Sequence, residues 1–504
     1  MRPFVSGMKV YITTKSDCAD RKAVEKKRCF RKSFVSKMIA YTLVGRYNVS
    51  TTFKGEDDMT ELHLNFADIG GGIKPINAVN NGPTKQSVRG ASNFEAYQAL
   101  HIPYARNHDA SFFTGYGGEH TVDVHRIFKN FDADENDPAS YLFAPTDHYV
   151  SNTIAAGTKV FYRLGASIEH YHKYGTVPPK DYLKWARICE HIIRHYTEGW
   201  ADGFFYDIEY WEIWNEPECR NADGSNPCWQ GTEEEFIEFF CTALAYLKEK
   251  FPHLKIGGPA FTSPKVTPFK HALLTEVKKR GIPFDFYSFH GYIKSPEKVT
   301  LLAEIAQEHL KEVGLENVEL HYNEWNYVRA WAGEEYIYSR KAAKETKGAS
   351  LIAGAFAAAQ ASPLDMMMYY DARPSNWCGL FDTYTYACLK PYYTFRLFDK
   401  LAQLGQWVKT EHVVEDIYSC AATDGKESAV LLTHYNDDDS TTSKQVKLTF
   451  LNAKKSERVK VEYYLLDADH DGELVREEIF TADEFASYLN MKLFDTYLIV
   501  VKEA

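Results

Sequence analysis

Two glutamates stand where short apolar runs end. Glu216 lies at the end of Trp211-Glu212-Ile213-Trp214-Asn215-Glu216-Pro217, and Glu324 near the end of Val318-Glu319-Leu320-His321-Tyr322-Asn323-Glu324-Trp325-Asn326. A carboxyl group flanked by aromatic rings is partly desolvated, which raises its pKa, as a general acid requires. Pro217 stops the first run and fixes the turn behind Glu216. Two such carboxyls facing each other across a cavity can split a glycosidic bond: one protonates the leaving oxygen while the other attacks the anomeric carbon. Glu319 lies five residues before Glu324, out of phase with it on a strand, and is expected to point toward a helix layer.

Carboxyls so distant in sequence need a rigid scaffold to meet. From about residue 85 to 404 short apolar strands alternate with amphipathic helices. The strands read as Val160–Leu164, Ile208–Trp214, Leu254–Gly257, Phe284–Phe289, Val318–Tyr322 and Leu364–Tyr370. The helices read as Asp181–Tyr196, with Leu183, Ala186, Ile192 and Ile193 on its apolar face, then Thr232–Lys250, Phe269–Arg280, Pro296–Val313, Gly348–Ala361 and Lys390–Leu404. Thr232 three residues before Glu235 is a capping-box signature that fixes one helix start. Seven or eight such units predict an α/β fold with a closed (β/α)8 TIM barrel, and no Gly-rich phosphate turn favours an open doubly wound sheet. Glu216 then ends the fourth strand and Glu324 the seventh, on the face where barrel active sites sit.

After Gly405 the pattern becomes strand and turn: Ser428–His434, Lys444–Phe450, Arg458–Leu465 and Thr496–Val501, separated by turns such as Asn436-Asp437-Asp438-Asp439. This predicts an accessory antiparallel β-sandwich. Glu61-Leu62-His63-Leu64-Asn65-Phe66 alternates with period two, unlike a barrel-core strand, and is assigned to the same sandwich. The expected organisation is a basic N-terminal extension (1–45), a catalytic barrel (68–404), and a sandwich from 46–67 plus 405–504.

The overall composition excludes several classes. A net charge of −11 speaks against a nucleic-acid binder, which needs a basic face. No apolar run is long enough for a membrane helix. Residues 1–38 hold eleven Lys/Arg against Asp17, Asp20 and Glu25, without an apolar h-region or cleavage site, so they do not read as a secretory signal. They are either a disordered tail or sequence upstream of a start at Met38. Cytoplasmic location is the expectation and secretion stays open, the case in which the sequon Asn48-Val49-Ser50 would matter. Nine cysteines at irregular spacing make no disulfide framework, although Cys219 and Cys228 share one loop and could pair under oxidising conditions.

The motifs also carry a resemblance. Asn215-Glu216-Pro217 with a later strand-end glutamate resembles the retaining (β/α)8 glycosidase clan. With Tyr104-Ala105-Arg106-Asn107-His108-Asp109, Ile256-Gly257-Gly258-Pro259-Ala260 and Phe286-Tyr287-Ser288-Phe289-His290-Gly291-Tyr292, the chain from about residue 60 onward is similar to glycoside hydrolase family 39, the β-xylosidases and α-L-iduronidases. That family also wraps a β-sandwich, built from both chain ends, around its barrel. The resemblance implies that Glu216 is the acid/base and Glu324 the nucleophile. It further implies that Asn215 holds the sugar 2-hydroxyl, that His290 and Tyr292 flank the nucleophile, and that Arg106 and His108 line the same pocket.

Weaker signals complete the reading. Trp377, just past the last barrel strand, is a candidate sugar-stacking wall, and Met366-Met367-Met368 reads as strand packing. Asp467-Ala468-Asp469-His470-Asp471-Gly472 with Glu478 has calcium-loop spacing, but a strand precedes it and a hairpin turn is the expectation. His101 and His108 lack zinc-pair spacing, so no catalytic metal is expected; nor is an organic cofactor, since nicotinamide, flavin and phosphate motifs are missing. The expected activity is retaining, exo-acting release of a terminal sugar from an oligosaccharide or glycoside, on β-linked xylose or a similar pentose. One alternative is an α-L-iduronidase or arabinosidase on the same scaffold, with Arg329 or Arg373 facing a substrate carboxylate. Another is a catalytically inactive carbohydrate-binding protein. Homo-oligomerisation is left open.

Overall fold

The apolar runs in the middle of the chain close into an eight-stranded parallel barrel. The computed structural model describes residues 59–86, 90–109, 120–168, 175–375, 379–453 and 457–504. The basic extension, the sequon and Trp377 lie outside them. Two strands precede the barrel, β1 (Met59–Asn65) and β2 (Ile69–Gly72). The barrel strands are β3 (Ala78–Asn80), β4 (Tyr104–Asn107), β5 (Lys159–Leu164), β6 (Tyr210–Ile213), β7 (Lys255–Phe261), β8 (Phe286–His290), β9 (Glu319–Trp325) and β10 (Met366–Tyr369). They pair in chain order, and β10 closes on β3. Phe161, Tyr210, Phe286, Met366 and Met368 fill the interior below the site, so the barrel is packed rather than open.

Helices between the strands cover the barrel through their apolar faces. The helix Tyr182–Thr197 buries Trp185, Ala186, Ile188, Cys189, Ile192, Ile193 and Tyr196. Leu183 is exposed instead, because the buried stripe runs through Trp185. At Thr232 the capping box forms in full: the Thr232 N–H donates to Glu235 Oε2 at 2.7 Å, and the Glu235 N–H to Thr232 Oγ1 at 3.1 Å. No described helix is long and apolar enough to cross a membrane.

The remaining strands are β11 (Gln406–Val408), β12 (Val413–Val414), β13 (Ile417–Thr423), β14 (Ser428–His434), β15 (Lys444–Leu451), β16 (Val459–Leu466), β17 (Asp471–Phe480), β18 (Phe485–Met491) and β19 (Thr496–Glu503). A large sheet runs β17-β16-β19-β14-β13-β11-β2, and a three-stranded sheet runs β1-β15-β18. Thus β2, in a stretch read from the sequence as barrel, pairs with β11 in the sandwich. Pairing is antiparallel throughout, except that β1 lies parallel to β15. Leu62 and Leu64 of β1 and Phe66 just beyond it pack inward against Val446, Leu448 and Phe450, as the period-two pattern requires.

The large sheet has two apolar faces. Ile417, Ala421, Val430 and Leu432 face the small sheet, whereas Tyr418, Cys420, Ala422, Ala429 and Leu431 join the barrel's core. The helix Thr346–Ala361 packs against that second face, and its alanines and Gly354 allow close approach. A Cβ on Gly354 would sit 2.6 Å from Pro296 Cγ and 3.3 Å from Tyr418 Cγ. The turn Asn436–Asp439 reaches the segment that follows β9. Asp437 Oδ1 accepts from Tyr327 Oη at 2.7 Å and Arg329 Nε at 3.0 Å, and Lys347 Nζ donates to Asp439 Oδ1 at 2.7 Å.

Two sequence expectations are corrected or resolved here. Glu319 does not point toward the helices. Phe289 pairs with Tyr322 and His290 with Glu324, so β9 carries an extra residue at Asn323. This bulge reverses the side-chain phase. Glu319 accepts from Tyr210 Oη at 3.0 Å, lies 3.2 Å from His321 Nε2 and also pairs with Lys255. The stretch Asp467–Asp471 is the turn of the β16–β17 hairpin, and Asp467 Oδ1 accepts the N–H groups of Asp469 and His470. Glu478 is held by Arg476 at 2.6 Å and by Tyr463 at 2.7 Å.

Candidate active site

The carboxyl-terminal ends of β4, β6, β8 and β9 bring the two glutamates together. Trp214 and Glu216, just past β6, have φ of 75° and 47°, a left-handed conformation that non-glycine residues adopt at a cost. Hydrogen bonds to both neighbouring strands hold it: the Trp214 N–H donates to the Leu164 carbonyl at 2.7 Å, and the Glu216 N–H to the Ala260 carbonyl at 2.9 Å. His290 stands between the carboxyls. Its Nδ1 is 2.8 Å from Glu216 Oε1 and 3.4 Å from Glu324 Oε2, and the three ligand atoms lie within 4.8 Å of one another.

Arg106 ties the strand ends into one network. It is fully buried and donates to Glu212 Oε2 and Asn215 Oδ1, each at 2.7 Å, to Asn80 Oδ1 at 3.1 Å and to Glu324 Oε2 at 3.4 Å. Glu212 also accepts from Ser288 Oγ at 2.6 Å and from Asn323 Nδ2. The Tyr292 hydroxyl donates to Glu324 Oε1 at 2.6 Å. The six residues Glu216, Glu324, Asn215, His290, Tyr292 and Arg106 therefore converge. His108 is one layer away: it accepts from Arg163 Nε at 3.3 Å and has no hydrogen bond to either glutamate.

The electrostatics of the two carboxyls differ. Burial, reinforced by the charge of Glu218, pushes the Glu216 carboxyl up to about 8. Burial also raises Glu324, but His290, Arg106 and the Tyr292 hydroxyl pull it back. With its carboxyl raised to about 8, Glu216 is protonated at neutral pH. Burial lowers His290 to about 4, leaving its ring neutral.

Sequence reasoning missed the supporting network. Glu212 and Arg106 each interrupt an apolar strand, and a buried charge needs a partner, which is the signal that could have linked them. Trp331 was also missed. Its indole is 61% exposed and meets the Tyr292 ring edge-on at 4.8 Å between centroids, on the rim of the site. Arg329 and Arg373 already face carboxylates of the chain: Arg329 bonds Asp437, and Arg373 bonds Asp109 at 2.9 Å and Asp371 at 2.6 Å. Cys219 and Cys228 are free thiols lying close together.

Comparisons with known proteins bear on the fold and the family. The β-xylosidase of Geobacillus stearothermophilus is 27% identical over 220 residues, 40% of this chain and 40% of that protein, so the match spans less than half of this curated relative. Among solved structures, a glucosidase from Croceicoccus marinus superposes with a TM-score of 0.71 at 19% identity, covering 89% of this chain and 100% of that one. A monomeric β-xylosidase from Caulobacter crescentus CB15 gives 0.65 at 15% identity, covering 88% and 99%. At such identities the likeness is one of fold. The sequence profile of glycosyl hydrolases family 39 matches residues 120–471, well over half of the molecule, and the chain belongs to that family.

Proposed function

We propose that the protein is a retaining, exo-acting glycosidase of the β-xylosidase type. The observation that carries this reading is the closeness of the Glu216 and Glu324 carboxylate oxygens, within 4.8 Å. Double displacement needs carboxyls about 5–5.5 Å apart, whereas inversion needs roughly 6.5–9.5 Å to admit a water. Glu216 protonates the departing oxygen while Glu324 attacks the anomeric carbon and forms a glycosyl ester. Glu216, now a base, takes a proton from water, which cleaves the ester and releases the sugar with retained configuration. Arg106 and Tyr292 hold Glu324 in place and stabilise its charge when the ester breaks.

A pentoside is favoured by the matched β-xylosidase and by the engagement of Arg329 and Arg373 with protein carboxylates, which counts against an iduronate site. The test is hydrolysis of a panel of nitrophenyl glycosides, with the first-formed anomer followed by NMR. The expected result is fastest turnover of the β-D-xyloside with net retention. Inversion, or no hydrolysis of any glycoside, would overturn the proposal. Azide should restore turnover to Glu216→Ala and give a glycosyl azide of retained configuration.

A further inference from the structure

The loop between β6 and the helix Glu233–Lys250 carries two cysteines that hydrolysis does not use. The Cys219 N–H donates to the Glu216 carbonyl at 3.0 Å, a tight turn that brings its thiol to the Glu216 carboxyl. Cys228 arrives from the far end of the loop, where Asn226 fastens it. Asn226 Nδ2 donates to the Pro217 carbonyl at 2.6 Å, and its Oδ1 accepts from the N–H groups of Cys228 and Trp229 at 2.8 and 2.9 Å. The Trp214 indole donates to the Cys228 carbonyl at 3.0 Å. Both ends of the loop are thus bound to the segment that presents Glu216. The two sulfurs and a Glu216 carboxylate oxygen lie within 4.8 Å of one another. Cys228 is buried, while Cys219 and Glu216 are partly exposed.

We propose that Glu216, Cys219 and Cys228 form a binding site for a thiophilic divalent cation of the zinc and cadmium class, and that its occupancy inhibits the enzyme. Two thiolates and one carboxylate suit such a cation, whereas calcium and magnesium take oxygen ligands. Tetrahedral zinc with sulfur at about 2.3 Å and oxygen at about 2.0–2.2 Å holds its ligand atoms roughly 3.4–3.8 Å apart. Small side-chain rotations reach that spacing, because the loop backbone is already pinned. Three protein ligands leave the fourth position to water.

On binding, each thiol gives its proton to solvent, and Glu216 gives up the proton it would deliver to the leaving group. The cation therefore removes the general acid without having to block the sugar. That consequence rests on the acid/base reading of Glu216; the binding itself does not. Glu216 also makes a close group with His290 and Glu324, but no sulfur is present there.

The test is a cadmium titration of the reduced full-length protein, following the ultraviolet thiolate-to-cadmium charge-transfer band alongside hydrolysis of a nitrophenyl glycoside. The band should saturate at one equivalent dependent on Cys219, activity should fall in step, and a chelator should restore both. Zinc should inhibit in the same way. Cys219→Ser and Cys228→Ser should each lose the band, and Cys420→Ser, which alters a buried thiol elsewhere, should keep it. Cys219→Ser decides the matter if the buried Cys228 substitution prevents folding. Absence of the band, its survival in Cys219→Ser, or a disulfide between the two cysteines in the purified protein would overturn the site. A band with undiminished hydrolysis would overturn inhibition by the bound cation. If the pH dependence of Glu216→Gln matches wild type while the band still forms, the acid/base reading fails and the cation site stands.

Discussion

Glu216 and Glu324 share one cavity and both face His290, but Glu218 reinforces the rise of Glu216, whereas His290, Arg106 and the Tyr292 hydroxyl oppose that of Glu324. A general acid must be protonated to act, and with its carboxyl raised to about 8 Glu216 is protonated below that pH and loses its proton above it. In chelator-treated protein, kcat/KM on glycosides with poor leaving groups should therefore fall on the alkaline side with an apparent pKa near 8. Glu216→Gln should flatten that limb and cost about 10²–10⁴-fold on those substrates, while sparing activated ones. The same shift bears on stability. A carboxyl raised above its ordinary value in the folded state stabilises at low pH, and that contribution is lost as pH rises toward 8. Thermal melts should find Glu216→Gln above wild type at pH 8 and the gap closing by pH 5. For Tyr292→Phe, loss of the 2.6 Å bond to Glu324 should raise that carboxyl further. The acid limb of kcat/KM should move to higher pH, and activity should drop by roughly 10–100-fold, the worth of a hydrogen bond to a charged group. An unmoved limb would mean that the hydroxyl does not stabilise the nucleophile's charge.

At the scale of elements, the helix Thr346–Ala361 offers a direct check, because Gly354 is wedged against Pro296 and Tyr418. Gly354→Ala improves helix propensity by about 1 kcal/mol but overpacks a seam at a cost of about 1–3 kcal/mol. Chemical denaturation should show a net loss, and unchanged stability would mean that the seam yields. Much of this architecture was legible in the sequence, since continuous apolar strands and helical periodicity report burial directly. Thr232 and Glu235 sit three residues apart on one segment, so their mutual bonds could be read locally. The phase of β9 could not, because a bulge exists only relative to the partner strands β8 and β10. Three-residue β3 is too short to display a pattern, and Trp331 gains meaning only from Tyr292, which another loop supplies. The two glutamates were readable because each ends its own apolar run; the Arg106–Glu212 bond beneath them joins two strands and was not.

Across the whole molecule, the sandwich supports the site rather than merely accompanying it. Asp437 receives Tyr327 and Arg329 from the segment directly after the strand that carries Glu324. Asp437→Ala would remove the carboxylate that these two groups share while leaving Arg329 its bond to the residue 437 carbonyl, costing about 1.5–3 kcal/mol, the range for hydrogen bonds to a charged group. Lower thermal stability together with a reduced kcat on the β-xyloside is the expected outcome; full activity would show that the segment holds its shape unaided. The parallel pairing of β1 with β15 has another effect, felt during synthesis. Leu62, Leu64 and Phe66 leave the ribosome long before their partners in Lys444–Leu451, which follow more than 370 residues later. At about 5–20 residues per second, that greasy strand waits roughly 20–80 s before it can be covered. A nascent chain of this protein therefore carries a sticky strand throughout that interval, and a chaperone present then should govern how much of it survives to fold.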